Sequence, residues 1–130
     1  MKKLIVALTL FGLIAIVFAA CGGGADSGSS SSASSGPAVH MDDTHFLPTS
    51  ITIPKGSKLD LINDTGTAHI IQNGTWKDMS ARPSIEPGAP KVDVQSVGSG
   101  TQTIGPFTTA GTFQLYCTVH PGMNLTVIVK

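Results

Sequence analysis

The chain has 130 residues and carries eight Lys plus Arg against eight Asp plus Glu, so its formal charge is zero at neutral pH. That length fits one domain. Without a basic patch or a charge run of either sign, nothing in the composition supports binding to nucleic acid.

Lys2-Lys3 followed by the apolar run Leu4 to Ala20 reads as the basic start and hydrophobic core of an export signal covering residues 1–20. The run is marginal as a spanning helix, which needs roughly 20 apolar residues. Phe18-Ala19-Ala20-Cys21, followed by three glycines, resembles a bacterial lipobox with Phe18 in the usual leucine position. Cys21 is therefore the expected lipidation site and membrane anchor. Residues 21–37 are then a flexible tether, because Gly, Ser and Ala bury too little apolar surface to offset their ordering entropy. Its Gly22 to Gly36 stretch has an r.m.s. reach of about 20 Å. These readings place the mature protein outside the cytoplasm, on the outer face of the cell membrane or in the periplasm.

Residues 38–130 form the expected folded domain. Short period-2 segments separated by turn residues indicate an all-β protein, a Greek-key β-sandwich of seven to eight strands. Val39-His40-Met41 and Phe46 read as one strand interrupted at Asp42-Asp43. Ile51-Thr52-Ile53 and Leu59-Asp60-Leu61 alternate, and Asn63-Asp64-Thr65-Gly66 ends the latter with a turn. His69-Ile70-Ile71 begins another strand, with Asn73-Gly74 as a hairpin turn after it. Lys77 to Lys91, with Pro83, Pro87 and Pro90, reads as a surface excursion containing a short helical turn. Val92, Val94 and Val97 open a further strand region, and Thr101 to Ile104 follows as another. In the last two strands Phe113, Leu115 and Cys117 share one face, and Leu125, Val127 and Val129 share another.

Chemistry concentrates at Cys117-Thr118-Val119-His120-Pro121-Gly122-Met123, where a thiolate, an imidazole and a thioether stand three residues apart. Two soft sulfurs and a borderline nitrogen suit copper among the common metals. A fourth donor has to come from elsewhere, and His69 is the candidate. Sγ of Cys117 and a ring nitrogen from each of His69 and His120 would make a strong trigonal set, with Met123 as a weak axial ligand. A stiff β scaffold would hold that set nearly unchanged through both copper oxidation states. A closed site also leaves no position for activating a substrate. The expectation is a one-electron carrier, not an enzyme, with a single copper ion cycling between Cu(I) and Cu(II).

Taken together, His69 and the stretch from Gly111 to Met123 resemble the blue-copper cupredoxins. The Cys-x2-His-x2-Met spacing is similar to the short loop of the plastocyanin and amicyanin branch. The resemblance covers Val39 to Lys130. It implies a cupredoxin-like sandwich, a mononuclear type 1 copper and a monomer that docks transiently with redox proteins at an apolar face around His120, Pro121 and Gly122. Several members of that family carry Asn directly after the first histidine. This chain has Ile70 there, which leaves local bracing of the loop to Thr118.

The competing readings are plainer. A Cys21–Cys117 disulfide would join a disordered tail to the sheet and organise nothing. Zinc prefers four strong N or S donors, and a thioether is not one of them. Alone, Cys117 would be a buried structural thiol, His69 a core histidine and Met123 a packing residue. His40 and His45, with Asp42 and Asp43 between them, read as strand-edge polar residues in preference to a second metal site. Met41, Met79 and Trp76 read as packing or surface residues. Two other function classes stand as alternatives: a protein that stores copper or delivers it to an oxidase, and a metal-free interaction module.

Overall fold

The computed structural model describes residues 36–130, all of them outside any helix. The expected signal, Cys21 and most of the tether lie outside the described residues. The strands are β1 (Ala38–Met41), β2 (Phe46–Leu47), β3 (Ser50–Ile53), β4 (Leu59–Asn63), β5 (His69–Lys77), β6 (Ser80–Pro83), β7 (Asp93–Ser96), β8 (Gly100–Ile104), β9 (Gly111–Cys117) and β10 (Asn124–Val129). One sheet runs β2-β1-β4-β8. The other runs β3-β10-β9-β5, with β6 and β7 both paired to β5. Pairing is antiparallel except for β1 with β4 and β3 with β10.

The ten strands among the described residues exceed the expected seven to eight because two stretches that read as irregular form hairpins. At Asp42-Asp43 the chain reverses instead of merely interrupting a strand. Asp42 Oδ1 accepts the Thr44 N–H at 2.8 Å and the His45 N–H at 2.7 Å, so β2 pairs back onto β1. Nor is Asn73-Gly74 a hairpin turn: β5 continues through it to Lys77. The reversal comes at Asp78-Met79, both with positive φ, as a type I′ two-residue hairpin turn requires. β6 therefore occupies part of the Lys77 to Lys91 stretch, and the expected helical turn is absent.

Between the sheets lies one core. Val39, Met41 and Leu61 from the first sheet meet Ile71, Phe113, Leu115, Leu125 and Val127 from the second, all buried. The parity read for β9 and β10 is the parity found: Phe113, Leu115 and Cys117 point inward, as do Leu125, Val127 and Val129. Full burial of a Leu or Phe side chain contributes about 1.5–3 kcal/mol. Those inward faces are therefore what hold Cys117 at the end of a rigid strand.

Candidate metal centre

Three donors converge where β9 ends. The buried Sγ of Cys117 stands 3.7 Å from Nδ1 of His69 and 3.4 Å from Nδ1 of His120. The three donor atoms all lie within 4.8 Å of one another, and they form the one such His, Cys and carboxylate group among the described residues. The two imidazoles meet edge to face, with ring centroids 4.9 Å apart. Donor atoms this close could share a single ion, and both rings present the same nitrogen to the sulfur.

Local chemistry explains how the loop gathers its donors. Pro121 presets φ and Gly122 takes φ +85°, the pairing for the central positions of a type II turn. The turn closes with the Met123 N–H donating to the His120 carbonyl at 3.1 Å. Cys117 N–H donates to the Met123 carbonyl at 3.0 Å, and the next ladder pair, Tyr116 with Asn124, follows at once. Met123 is buried, and His120 is half-buried. Thr118 does brace the loop, through its backbone: its N–H donates to the Ile70 carbonyl at 2.8 Å. A backbone tie thus joins the segments that carry His69 and Cys117 at the position where Ile70 has no polar side chain.

His69 is completely buried. Burial first, and then the neighbouring His120, hold its pKa below the usual imidazole value, which keeps the ring neutral and able to donate a lone pair. Its Nε2 makes no full hydrogen bond among the described residues, although the Asp42 carbonyl on the β1–β2 turn lies close enough to favour the protonated form.

Two residues that sequence reasoning passed over are part of the site's support. Asn63, read only as the start of a turn, is buried. Its Nδ2 donates to the Thr67 carbonyl at 2.7 Å and the Gly98 carbonyl at 3.1 Å, while its Oδ1 accepts the Gly66 N–H at 3.1 Å. It thereby shapes the approach to His69. The signal was there, since Asn followed three residues later by Gly is a side-chain-closed turn. Trp76, read as packing, donates its indole N–H to the Cys117 carbonyl at 2.7 Å. No sequence signal pointed to that contact.

His40 and His45 turn to separate carboxylates. His40 Nδ1 lies 2.9 Å from Asp64 Oδ2, and His45 Nδ1 lies 3.3 Å from Asp42 Oδ1. Of the methionines read as filler, Met41 is core and Met79 is exposed at the β5–β6 turn.

Fold and donor set together define a small β-sandwich built around one soft-metal centre. The family model for copper binding proteins of the plastocyanin/azurin family matches residues 36–130, and the chain belongs to that family. A plastocyanin from Ulva prolifera is 26% identical over 87 residues, covering 65% of this chain and 86% of that protein. Among solved structures, a purple cupredoxin from Nitrosopumilus maritimus superposes with a TM-score of 0.56 at 16% identity, covering 72% of this chain and 99% of the other. A copper-containing nitrite reductase from Thermus scotoductus superposes with a TM-score of 0.55 at 20% identity, covering 73% of this chain and 22% of that enzyme. At such identities the likeness speaks to the fold. The donors present here fit a single type 1 copper.

Proposed function

We propose that this protein carries single electrons at one type 1 copper held by Nδ1 of His69, Sγ of Cys117, Nδ1 of His120 and the thioether of Met123. The observation that carries this reading is the buried thiol with two imidazole nitrogens 3.4 and 3.7 Å away, on a loop tied by backbone hydrogen bonds to both neighbouring strands. Copper bound there supplies a one-electron couple. The chain's part is to keep the donors in one arrangement for both oxidation states and to exclude water from the buried side. Buried Met123 would close that side, and half-buried His120 would bring a ring to the surface. Exposed Val119, Pro121 and Gly122 around it form the face at which redox proteins would dock. Within this family plastocyanins and amicyanins are carriers, not enzymes, and that supports the same role here. Export by residues 1–20 and anchoring through Cys21 complete the proposal: a carrier tethered to a membrane.

The test is the visible spectrum of the purified protein with Cu(II). An intense thiolate-to-copper band that bleaches on reduction and returns on oxidation is expected, and Cys117→Ser should abolish the band while leaving the fold intact. A colourless protein that binds copper weakly would overturn the proposal. A site that gives up its copper readily to a competing chelator would point to delivery instead.

A further inference from the structure

Strand β5 does something its ladder does not require. Its register with β9 pairs Ile71 with Cys117 and Asn73 with Leu115. Continued without change, that register would set Trp76 opposite Thr112, far down β9 from the metal pole. Instead β5 breaks away at Gly74. There φ is +131°, and a Cβ would come within 2.3 Å of the Arg82 carbonyl and 2.9 Å of the Tyr116 ring. The redirected strand packs over the outer side of β9. Trp76 meets Tyr116 edge on, with centroids 6.0 Å apart.

Asn124, the first residue of β10, then fastens the Trp76 backbone on both sides. Its Oδ1 accepts the Trp76 N–H at 2.7 Å, and its Nδ2 donates to the Trp76 carbonyl at 3.1 Å. So anchored, the indole N–H donates to the carbonyl of Cys117 at 2.7 Å. The peptide that follows the ligand cysteine is thus held by a side chain from a separate hairpin.

We infer that Trp76 is a positioning residue for the Cys117 ligand, and that Gly74 and Asn124 exist in this arrangement to bring it there. This inference rests on the copper reading for its redox consequence only. Fixing the carbonyl fixes the peptide plane at Cys117, and with it the direction in which the Cα–Cβ bond aims the sulfur. The N–H dipole also points its positive end at the ligand residue's own peptide. Positive charge there favours the electron-rich state of a nearby centre, so loss of the donor lowers the reduction potential. Hydrogen bonds that orient a ligand from outside the coordination set typically change metal affinity about 10–100-fold when removed.

Trp76 is the one tryptophan in the chain, so replacing tryptophan with 5-fluorotryptophan during expression alters this donor alone and makes it stronger. Two readouts apply to wild type, Trp76→Phe and the fluorinated protein. One is the ¹³C signal of the Cys117 carbonyl in the metal-free protein. The other is the midpoint potential with copper bound. Trp76→Phe should move the carbonyl signal, lower the potential and weaken copper binding about 10-fold. The fluorinated protein should move the signal and the potential the opposite way. A carbonyl signal or a potential that is the same in all three proteins overturns the inference. If Trp76→Phe fails to fold, the fluorinated protein decides alone. A wild type that takes up no copper sinks the copper reading, whereas the metal-free carbonyl signal still decides whether Trp76 holds Cys117.

Discussion

Two connections in this sandwich solve the same problem differently. The loop from Cys117 to Met123 joins β9 to β10, and the segment from Ser84 to Val92 joins β6 to β7. The first begins and ends in one ladder, with Tyr116 opposite Asn124, so the ladder itself brings its ends together. What remains is short enough for one type II turn, and its side chains come out ordered. The second joins two strands that lie in sequence along the same edge of β5, and no ladder spans it. One side chain does most of the tying. Asn73 accepts the Val92 N–H at 2.6 Å, donates to the Pro90 carbonyl at 3.1 Å, and accepts the Ser84 N–H on its own carbonyl at 3.3 Å. Beside it lies an open groove of about 340 Å³, and Ile85 is left 56% exposed. Loop-closure entropy is offset cheaply when the flanking strands pair with each other, and a site that needs donors placed to a few tenths of an ångström sits on a loop of that kind.

The comparison is sharpest at Leu115, fully buried two residues before Cys117. Leu115→Ala should destabilise the protein by about 2–5 kcal/mol by urea unfolding, and should broaden the copper site's electronic spectrum as β9 loosens. A loss below about 0.5 kcal/mol would mean that the loop is ordered by something other than its ladder. Asn73→Ala is next. It strands buried partners around the longer segment and should lose about 1–3 kcal/mol, with faster amide exchange at Val92 and an unchanged copper spectrum. A spectral change as large as that of Leu115→Ala would break the distinction between the two connections.

The smallest effect belongs to Asp43, which accepts the Thr67 hydroxyl at 2.6 Å just ahead of His69. That hydrogen bond first, then one from Thr65, holds its carboxyl below the ordinary value of 3.8. A depressed carboxyl adds stability above its unfolded-state value and loses it as pH falls through the folded one. The metal-free protein should therefore weaken on acidification below about pH 4, and Asp43→Asn should remove a small part of that slope. Identical slopes in the two proteins, from urea titrations at a series of pH values, would show that this carboxylate contributes nothing to the metal pole.

Much of the metal pole was legible because its information is local. Pro121-Gly122 encodes the turn, the three-residue spacings put donors on its two ends, and period 2 in β9 and β10 sets which way Cys117 faces. The first misreading, at Asn73-Gly74, came from the same kind of local signal. An Asn-Gly pair favours a tight turn in isolation, but here the Asn73 amide satisfies the backbone of a distant segment and Gly74 admits the close approach of Arg82 and Tyr116. At Asp42 the opposite holds: a turn-forming carboxylate reads as a gap in a strand, although it caps a hairpin.

From the sequence alone came the all-β class, the inward faces of β9 and β10, the soft donor loop and His69 as its distant fourth member. Those follow from side-chain periodicity, turn chemistry and ligand softness, which depend only on near neighbours and residue type. The redirection of β5, the Asn63 and Asn73 clamps and the reach of Trp76 to Cys117 were decided by the tertiary structure. A hydrogen bond between residues far apart in the chain exists only after the sheets have packed, and a side-chain amide or an indole N–H carries no mark of which carbonyl it will meet.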